Sequence, residues 1–284
     1  MIDNEYLDGV TAITVTLNNE HDIEGMLESL VKNTVDQIII VDGGSTDRTV
    51  EIAKKYTDDV FITEKGIGNQ FTYGLLKVKY KFLLSIECDH IYPDKFVERF
   101  LAEYKNSGLF GLQASLQCIC QNTYFEKGIS SFYDIHQFDK GTRDIIAAPN
   151  IYPAKEYIEI LDVAHFSGYS IDTKIAMNLQ EHNYLVGLGE TVAFQYQNIN
   201  FSIFLKKYFN YGKGDYDFYE SHKKQWTTRR KLKSIFHVFN RYVIDYPAKS
   251  FRVGKPHIAI PYLWASAVIR YYGWVYSIFS KIWK

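Results

Sequence analysis

The apolar positions of the first hundred residues switch repeatedly between two periods. Residues 10–17 (VTAITVTL) are rich in β-branched side chains and read as a strand. Ile23, Met26, Leu27, Leu30 and Val31 then recur at helical spacing, with Asn19 placed to cap that helix. Residues 37–41 (QIIIV) form a short unbroken apolar run, as a strand covered on both faces does. Ser45 or Thr46 is placed to cap the next helix, whose Thr49, Ile52, Ala53 and Tyr56 share a face. Residues 60–63 predict a third strand, a Gly-punctuated loop (EKGIGNQ) leads to a helix through Leu75 and Leu76, and residues 81–86 (KFLLSI) predict a fourth strand. Pro93 suits a first helical position ahead of Val97, Phe100, Leu101 and Tyr104. Strand and helix in strict alternation imply a parallel sheet with right-handed crossovers.

Further on the pattern loosens. Residues 109–120 predict a strand and 172–182 a helix, while 121–153 read as a loop of the kind that sets specificity. Beyond residue 200 the composition shifts to Lys, Arg, Tyr, Phe and Trp, and 201–253 read as amphipathic helices with a basic cluster at Arg229, Arg230, Lys231 and Lys233. The chain closes on a long apolar run from His257, interrupted by Pro261 and Arg270. Residues 258–279 have the length to span a bilayer of ~30 Å, but Arg270 near the middle opposes insertion by roughly 2.5–3.5 kcal/mol. Three placements stay open: lying in a membrane interface, packing as an ordinary helix, or spanning. The tryptophans and tyrosines of this run, with the basic cluster before it, favour the interface.

Composition narrows the function classes. The chain has 284 residues, 46% of them hydrophobic and 23% charged, which excludes a disordered or fibrous protein. Basic and acidic residues nearly cancel (32 against 33), and a general nucleic-acid binder needs a positive surplus. Cys88, Cys118 and Cys120 are too few for a disulfide framework and match no zinc spacing. The N-terminus lacks a basic stretch followed by an apolar one, so no secretory signal is expected and the cytoplasm is the expected compartment.

Ligands of open parallel sheets sit at the carboxyl ends of the strands. Three polar clusters fall there: Asn18, Asn19 and Glu20; Asp42 to Asp47 (DGGSTD); and Glu87 to His90 (ECDH). Alone, DGGSTD is also a serviceable strand-to-helix turn, and an E-x-D pair is often merely solvated. Together on consecutive βα connections, these carboxylates suit a sugar, a nucleotide or a hard divalent cation.

TAITVTLNNE, IIIVDGGSTDRT and FLLSIECDH, in that order, resemble the nucleotide-sugar half of the inverting family-2 glycosyltransferases, which have the GT-A fold. Residues 171–184 (IDTKIAMNLQEHNY) resemble the family's acidic catalytic helix, and 202–214 (SIFLKKYFNYGKG) its aromatic, basic Y-G-x-G segment. The resemblance covers roughly residues 10–214. It implies an α/β GT-A catalytic domain over 1–200, with a nucleotide-sugar half at about 10–108 and an acceptor half at about 109–200. An aromatic-rich, amphipathic helical extension then follows over 201–284, with membrane association one of the placements left open above. It implies that Asn18, Glu20 and Asp42 line the nucleobase and ribose pocket, that Gly44 and Ser45 shape the turn, and that Glu87 and Asp89 stand at the two aspartates of the family's D-x-D, Asp89 at the metal-contacting one. Asp172 matches the catalytic acid position. The implied activity is an inverting transfer from a nucleotide-diphosphate sugar to a glycan or lipid-linked hydroxyl, with manganese or magnesium as cofactor and Asp172 as general base.

Several positions depart from the family pattern. Leu17 and Asn18 replace Thr and Tyr, Glu87 replaces Asp, Ile171 stands before Asp172 where an acid is common, and Asn178 takes an Arg position. Gln195 stands near where many relatives carry a histidine; His165, His182 and Tyr196 are the nearby groups that would compensate. Two other readings follow from these features: a polyprenyl-phosphate sugar synthase, which needs no strong base at Asp172, and a non-catalytic nucleotide-sugar or membrane scaffold. A methyltransferase would account for VDGGS but not for ECDH or YGKG.

Overall fold

The computed structural model describes residues 6–119, 121–161 and 171–282. Cys120 and His165, considered above, lie outside them. The chain divides into two compact units, one of residues 1–117 and 140–196, the other of residues 118–139 and 197–284.

The first unit opens with the predicted alternation: β1 (Leu7–Thr16), α1 (Ile23–Leu30), β2 (Gln37–Asp42), α2 (Thr49–Ala53), β3 (Val60–Ile62), α3 (Ile67–Leu75) and β4 (Tyr80–Ser85). β1 lies parallel to β2 and β4, and β2 parallel to β3, in register from Thr11–Gln37 to Thr16–Asp42. Their carboxyl ends therefore share one edge. A short β5 (His90–Ile91), α4 (Phe96–Ser107) and the first part of β6 (Gly111–Ile119) follow. After the excursion into the other unit come β7 (Gly141–Arg143), β8 (Asn150–Pro153), α6 (Ala154–Ile160), α7 (Ile171–Glu181) and β9 (Val186–Tyr196). The sheet order is β3-β2-β1-β4-β8-β6-β9-β5, with β7 also on β9. β8 runs antiparallel to β4 and β6, and β9 antiparallel to β5 and β7. A parallel half thus continues into an antiparallel half. Ile13, Ile39, Val41 and Leu83, all fully buried, join Tyr152 and Tyr157 in the core, each aliphatic chain contributing roughly 1.5–3 kcal/mol by leaving water.

Some local expectations give way. Asn19 does not cap α1: its Oδ1 accepts from Thr16 Oγ1 and the Leu17 amide, and Asp22 takes the N-cap position without a side-chain bond. Neither Ser45 nor Thr46 caps α2, since both are engaged with the first loop, and Arg48 holds that position. Pro93 lies three residues ahead of α4. The GIGNQ stretch is the first turn of α3 rather than a loop.

The second unit is helical. Residues 121–153, read from sequence as a loop, instead contain α5 (Tyr124–His136), opened by a capping box in which Thr123 and Glu126 satisfy each other's amides. α8 (Phe201–His222), α9 (Thr228–Val238), a π-helical stretch (Phe239–Asp245), α10 (Tyr246–Ser250) and α11 (Pro256–Ile282) complete it. The YGKG stretch lies inside α8. A Cβ built on Gly212 would stand 1.8 Å from the Arg270 carbonyl oxygen, and one on Gly273 2.2 Å from that of Phe209. Only glycine lets the two backbones meet so closely. Arg270 turns into the unit, where Nε and Nη2 donate to Asp215 at 2.5 and 2.8 Å and Nη1 donates to the Tyr242 hydroxyl at 3.2 Å. Among the described residues no helix is long and apolar enough to cross a membrane, which removes the spanning placement for them.

Candidate active site

The turns after β1 and β2 are stitched into one surface. Asp42 is fully buried, and its Oδ1 accepts from the amides of Gly44 (2.9 Å) and Ser45 (2.6 Å) while its Oδ2 accepts from Ser45 Oγ. Gly44 sits at φ +87°, in the left-handed region that glycine enters without strain. The Asn18 amide donates to Ser45 Oγ at 2.8 Å, and Asn18 Oδ1 accepts from the Thr46 amide at 2.9 Å. Glu20 donates its amide to Asp47 and accepts from the Arg48 amide. Buried Gln70 braces this edge from α3, donating to the carbonyls of Thr16 and Val41 and accepting from the Gly66 amide. The structure thus brings Asn18, Glu20, Asp42, Gly44 and Ser45 together. Asp42 acts here through the turn, because both its oxygens are taken by it.

After β4 a second cluster forms. Ligand atoms of Glu87, Asp89 and His90 lie within 4.8 Å of one another. His90 is fully buried, with Nδ1 3.2 Å from the Tyr92 hydroxyl and Nε2 3.8 Å from Glu87 and 3.7 Å from Asp89. Burial drives its pKa down to about 3, so the imidazole is neutral. Its Nε2 has no hydrogen-bond partner although it is buried, and in the tautomer whose Nδ1–H donates to the Tyr92 hydroxyl it offers a lone pair to a metal. Two carboxylates and a neutral imidazole fit manganese or magnesium, manganese accepting the nitrogen more readily. Gln195, paired with His90 across β5 and β9, donates from Nε2 to Asp89 Oδ2 at 2.8 Å. Asp22, at the start of α1, has its pKa raised by burial and by the charge of Asp89, which sets it beside this cluster.

Asp172 opens α7. Solvent reaches its side chain, yet the protein crowded around it withdraws enough water to raise its pKa to about 6. Its charge in turn helps to raise the pKa values of Tyr152 and Tyr157, whose rings stack at 4.1 Å in the core below. A carboxyl that titrates near neutrality can take up a proton and release it.

Gln70 and Asp22 are parts of this edge that their sequence positions did not single out, and His90, named within the ECDH cluster, was given no role of its own there. His90 directly follows the E-x-D pair and offered a signal. Gln70 and Asp22 offered none, because each reaches the edge through the packing of a helix. His182 is engaged locally, its Nδ1 2.9 Å from the Asn178 carbonyl oxygen.

Residues 11–170 match the family described as glycosyl transferase family 2. The chain is also similar to the crystal structure of S. aureus TarS 1–349 in complex with UDP-GlcNAc, at 14% identity over 82% of this chain and 72% of that one, with a TM-score of 0.53. It is similar to M. tuberculosis glucosyl-3-phosphoglycerate synthase at 16% identity, over 69% of this chain and 74% of that one, with a TM-score of 0.51. A complex of that synthase with Mn2+, UDP-glucose and phosphoglyceric acid gives 14% identity, the same coverage and a TM-score of 0.51. At such identities the likeness is one of fold, and the fold is GT-A. No curated protein matches the chain in sequence. The family match spans more than half of the residues, and with the strand-end geometry above it leads to one conclusion: this chain belongs to glycosyl transferase family 2.

Proposed function

We propose that the protein is an inverting glycosyltransferase that moves a sugar from a nucleotide-diphosphate donor to a hydroxyl acceptor in glycan, glycolipid or polysaccharide synthesis. The observation that carries this reading is the Glu87–Asp89–His90 cluster at the carboxyl edge of the parallel strands, where two acids meet a neutral imidazole. Asn18, Glu20, Gly44 and Ser45, with the turn that Asp42 builds, would receive the base and ribose. Glu87, Asp89 and His90 would hold a divalent cation, which when bound neutralises charge on the departing diphosphate.

Asp172 then serves as general base. Its carboxylate takes the proton of the acceptor hydroxyl as that oxygen attacks the anomeric carbon. The bond from that carbon to the diphosphate oxygen breaks on the opposite side, so the configuration inverts and the nucleoside diphosphate leaves with the bonding pair. A pKa near 6 keeps the base ionised at neutral pH and strong enough to accept the proton.

A second reading, a polyprenyl-phosphate sugar synthase, draws support from the basic character of residues 197–284. Its phosphate acceptor is already ionised, so Asp172→Asn would be tolerated there and not in the first reading. The scaffold reading, prompted by Gln195, requires that no nucleotide-sugar be turned over or hydrolysed.

The test is a thermal-shift titration with UDP, GDP and their sugar conjugates, with and without manganese, on wild type and Asp89→Ala. At a hundredfold excess over its Kd a ligand adds about 2.7 kcal/mol of stability. A manganese-dependent shift with one nucleotide, absent in Asp89→Ala, is the expected result. No shift with any of them would overturn the proposal.

A further inference from the structure

The near-zero net charge of the chain conceals a segregation. The helical unit, residues 118–139 and 197–284, carries 17 Lys and Arg against 7 Asp and Glu, a formal +10. The other unit carries 15 against 26, a formal −11.

Two helices of the basic unit also turn apolar side chains outward. On α11, Trp264, Val268, Tyr272, Val275, Tyr276 and Phe279 share one face and are all exposed, Val268 by 70% and Tyr272 by 64%. From Trp264 to Phe279 this face runs about 22 Å at 1.5 Å per residue. The one Lys, Arg, Asp or Glu between Pro256 and Ser280 is Arg270, which turns inward onto Asp215 with 17% of its side chain exposed. The outward face is therefore uncharged along that length.

The face is bordered by α8, whose Lys and Asp/Glu balance, and by α9, which carries four Lys and Arg and no acid. On one edge Phe209 of α8 lies against Tyr272 and Tyr276, at 5.7 and 5.3 Å between ring centres, and Lys213 stands over the Phe209 ring at 6.0 Å. On the other edge the Tyr271 hydroxyl donates to the Ile235 carbonyl and accepts from the Phe239 amide of the segment that continues α9. α9 itself exposes Leu232 and Phe236, with Phe239 just beyond its end, and Arg229 and Lys233 are exposed beside them; Val238 is its one buried residue.

A helix in water buries its apolar stripe. An exposed apolar stripe edged with Lys and Arg is instead the composition of a helix lying in a membrane interface, with Trp and Tyr at headgroup level and basic groups on lipid phosphates. We infer that the outward face of α11, with Lys213 of α8 at one edge and the basic helix α9 at the other, docks on an anionic lipid bilayer, lying in the interface without crossing it. Nucleic acid would use the same charge and the exposed rings but would leave the aliphatic Leu232, Val268 and Val275 between them in water, whereas a lipid interface buries them. A second copy of the chain paired through this same face would set +10 against +10. The inference does not rest on the donor site, whose residues belong to the other unit.

The test sediments the full chain with vesicles of phosphatidylcholine alone and of phosphatidylcholine with about one third phosphatidylglycerol. It compares wild type with the double variants Val268→Asp/Tyr272→Asp and Arg229→Glu/Lys233→Glu, all at exposed positions. Wild type should partition onto the anionic vesicles at low salt, with partitioning about tenfold weaker or more in each variant and at high salt. An unchanged circular dichroism spectrum and Tm establish that each variant is folded, and should one misfold the other carries the comparison. The nucleotide-induced thermal shift should be the same in all three proteins, which separates a failure here from a failure of the donor site. Absence of wild-type binding to anionic vesicles, or equal binding by the variants, overturns the inference. So does self-association lost in Val268→Asp/Tyr272→Asp, or oligonucleotide binding in place of vesicle binding.

Discussion

Gln195 Nε2 donates to Asp89 Oδ2 at 2.8 Å, joining the end of β9 to the cluster after β4. A glutamine amide is a weak metal ligand, but it is a good anchor for a carboxylate proposed to be one. Gln195 thereby fixes the direction in which Asp89 presents its other oxygen. Partners of this kind commonly account for 10–100-fold in metal affinity. Gln195→Leu, which keeps the bulk and removes the donor, should weaken manganese binding by roughly that factor. Manganese titration followed by electron paramagnetic resonance measures it, and an unchanged affinity would show that Asp89 needs no such support.

Asp172 governs the predicted pH dependence. The base must be ionised, so log(kcat/KM) should rise by one unit per pH unit below about 6 and level off above it. Asp172→Asn should lower kcat by ~10²–10⁴-fold and abolish that limb. The sign of the stability effect is opposite. A carboxyl whose folded pKa is raised favours the folded state fully below its unfolded pKa, near 3.8, and loses that contribution as the pH climbs through about 6. At pH 7 Asp172→Asn should therefore melt no lower than wild type while being far less active. Rates from pH 4.5 to 8, alongside melting curves, check both halves.

Ser45 couples the first two loops, since its hydroxyl donates to Asp42 and accepts from the Asn18 amide. Ser45→Ala leaves the buried Asp42 carboxylate short of one donor. A hydrogen bond to a charged group contributes about 1.5–3 kcal/mol. Urea unfolding should show a loss in that range, and KM for the donor should rise more than kcat falls.

The Arg270–Asp215 pair holds the helical unit from inside. Removing one member strands the other charge in a buried setting, at a cost of about 3–5 kcal/mol. Asp215→Ala should be destabilised by that amount, and Asp215→Leu/Arg270→Met should recover most of it. Equal losses in the single and double variants would show that the cost lies in packing and not in a stranded charge. Gly212→Ala tests the adjoining crossing: its new methyl group would meet the Arg270 carbonyl, so α8 and α11 must part. A loss of about 1–3 kcal/mol is expected from such overpacking.

The alternating first hundred residues were legible in sequence because each element declares itself locally. QIIIV and KFLLSI can be buried on both faces only as central strands, and the helical spacing of Ile23, Met26, Leu27 and Leu30 shows one face to them. The polar clusters were legible for the same reason: parallel strands bring their carboxyl ends to one edge, so order along the chain becomes neighbourhood in space. The caps were not, because Asn19, Ser45 and Thr46 had equally good partners on the neighbouring loop, and those exist only once β1 and β2 pair.

By itself, then, the sequence determined the parallel half of the sheet, the acidic edge and the helical character of the C-terminal stretch, since hydrophobic period and residue type act over a few positions. Tertiary structure alone decided what depends on contacts between distant residues. It set Gln195 on Asp89 across 106 positions and surrounded Asp172 with enough protein to raise its pKa. It drew residues 118–139 out of the first unit and into the second, and it turned Arg270 inward onto Asp215 across 55 positions. A charge that reads as an interruption of an apolar run became the inner support of a helix whose outer face is uncharged. No period along the chain records which way a side chain will find its partner.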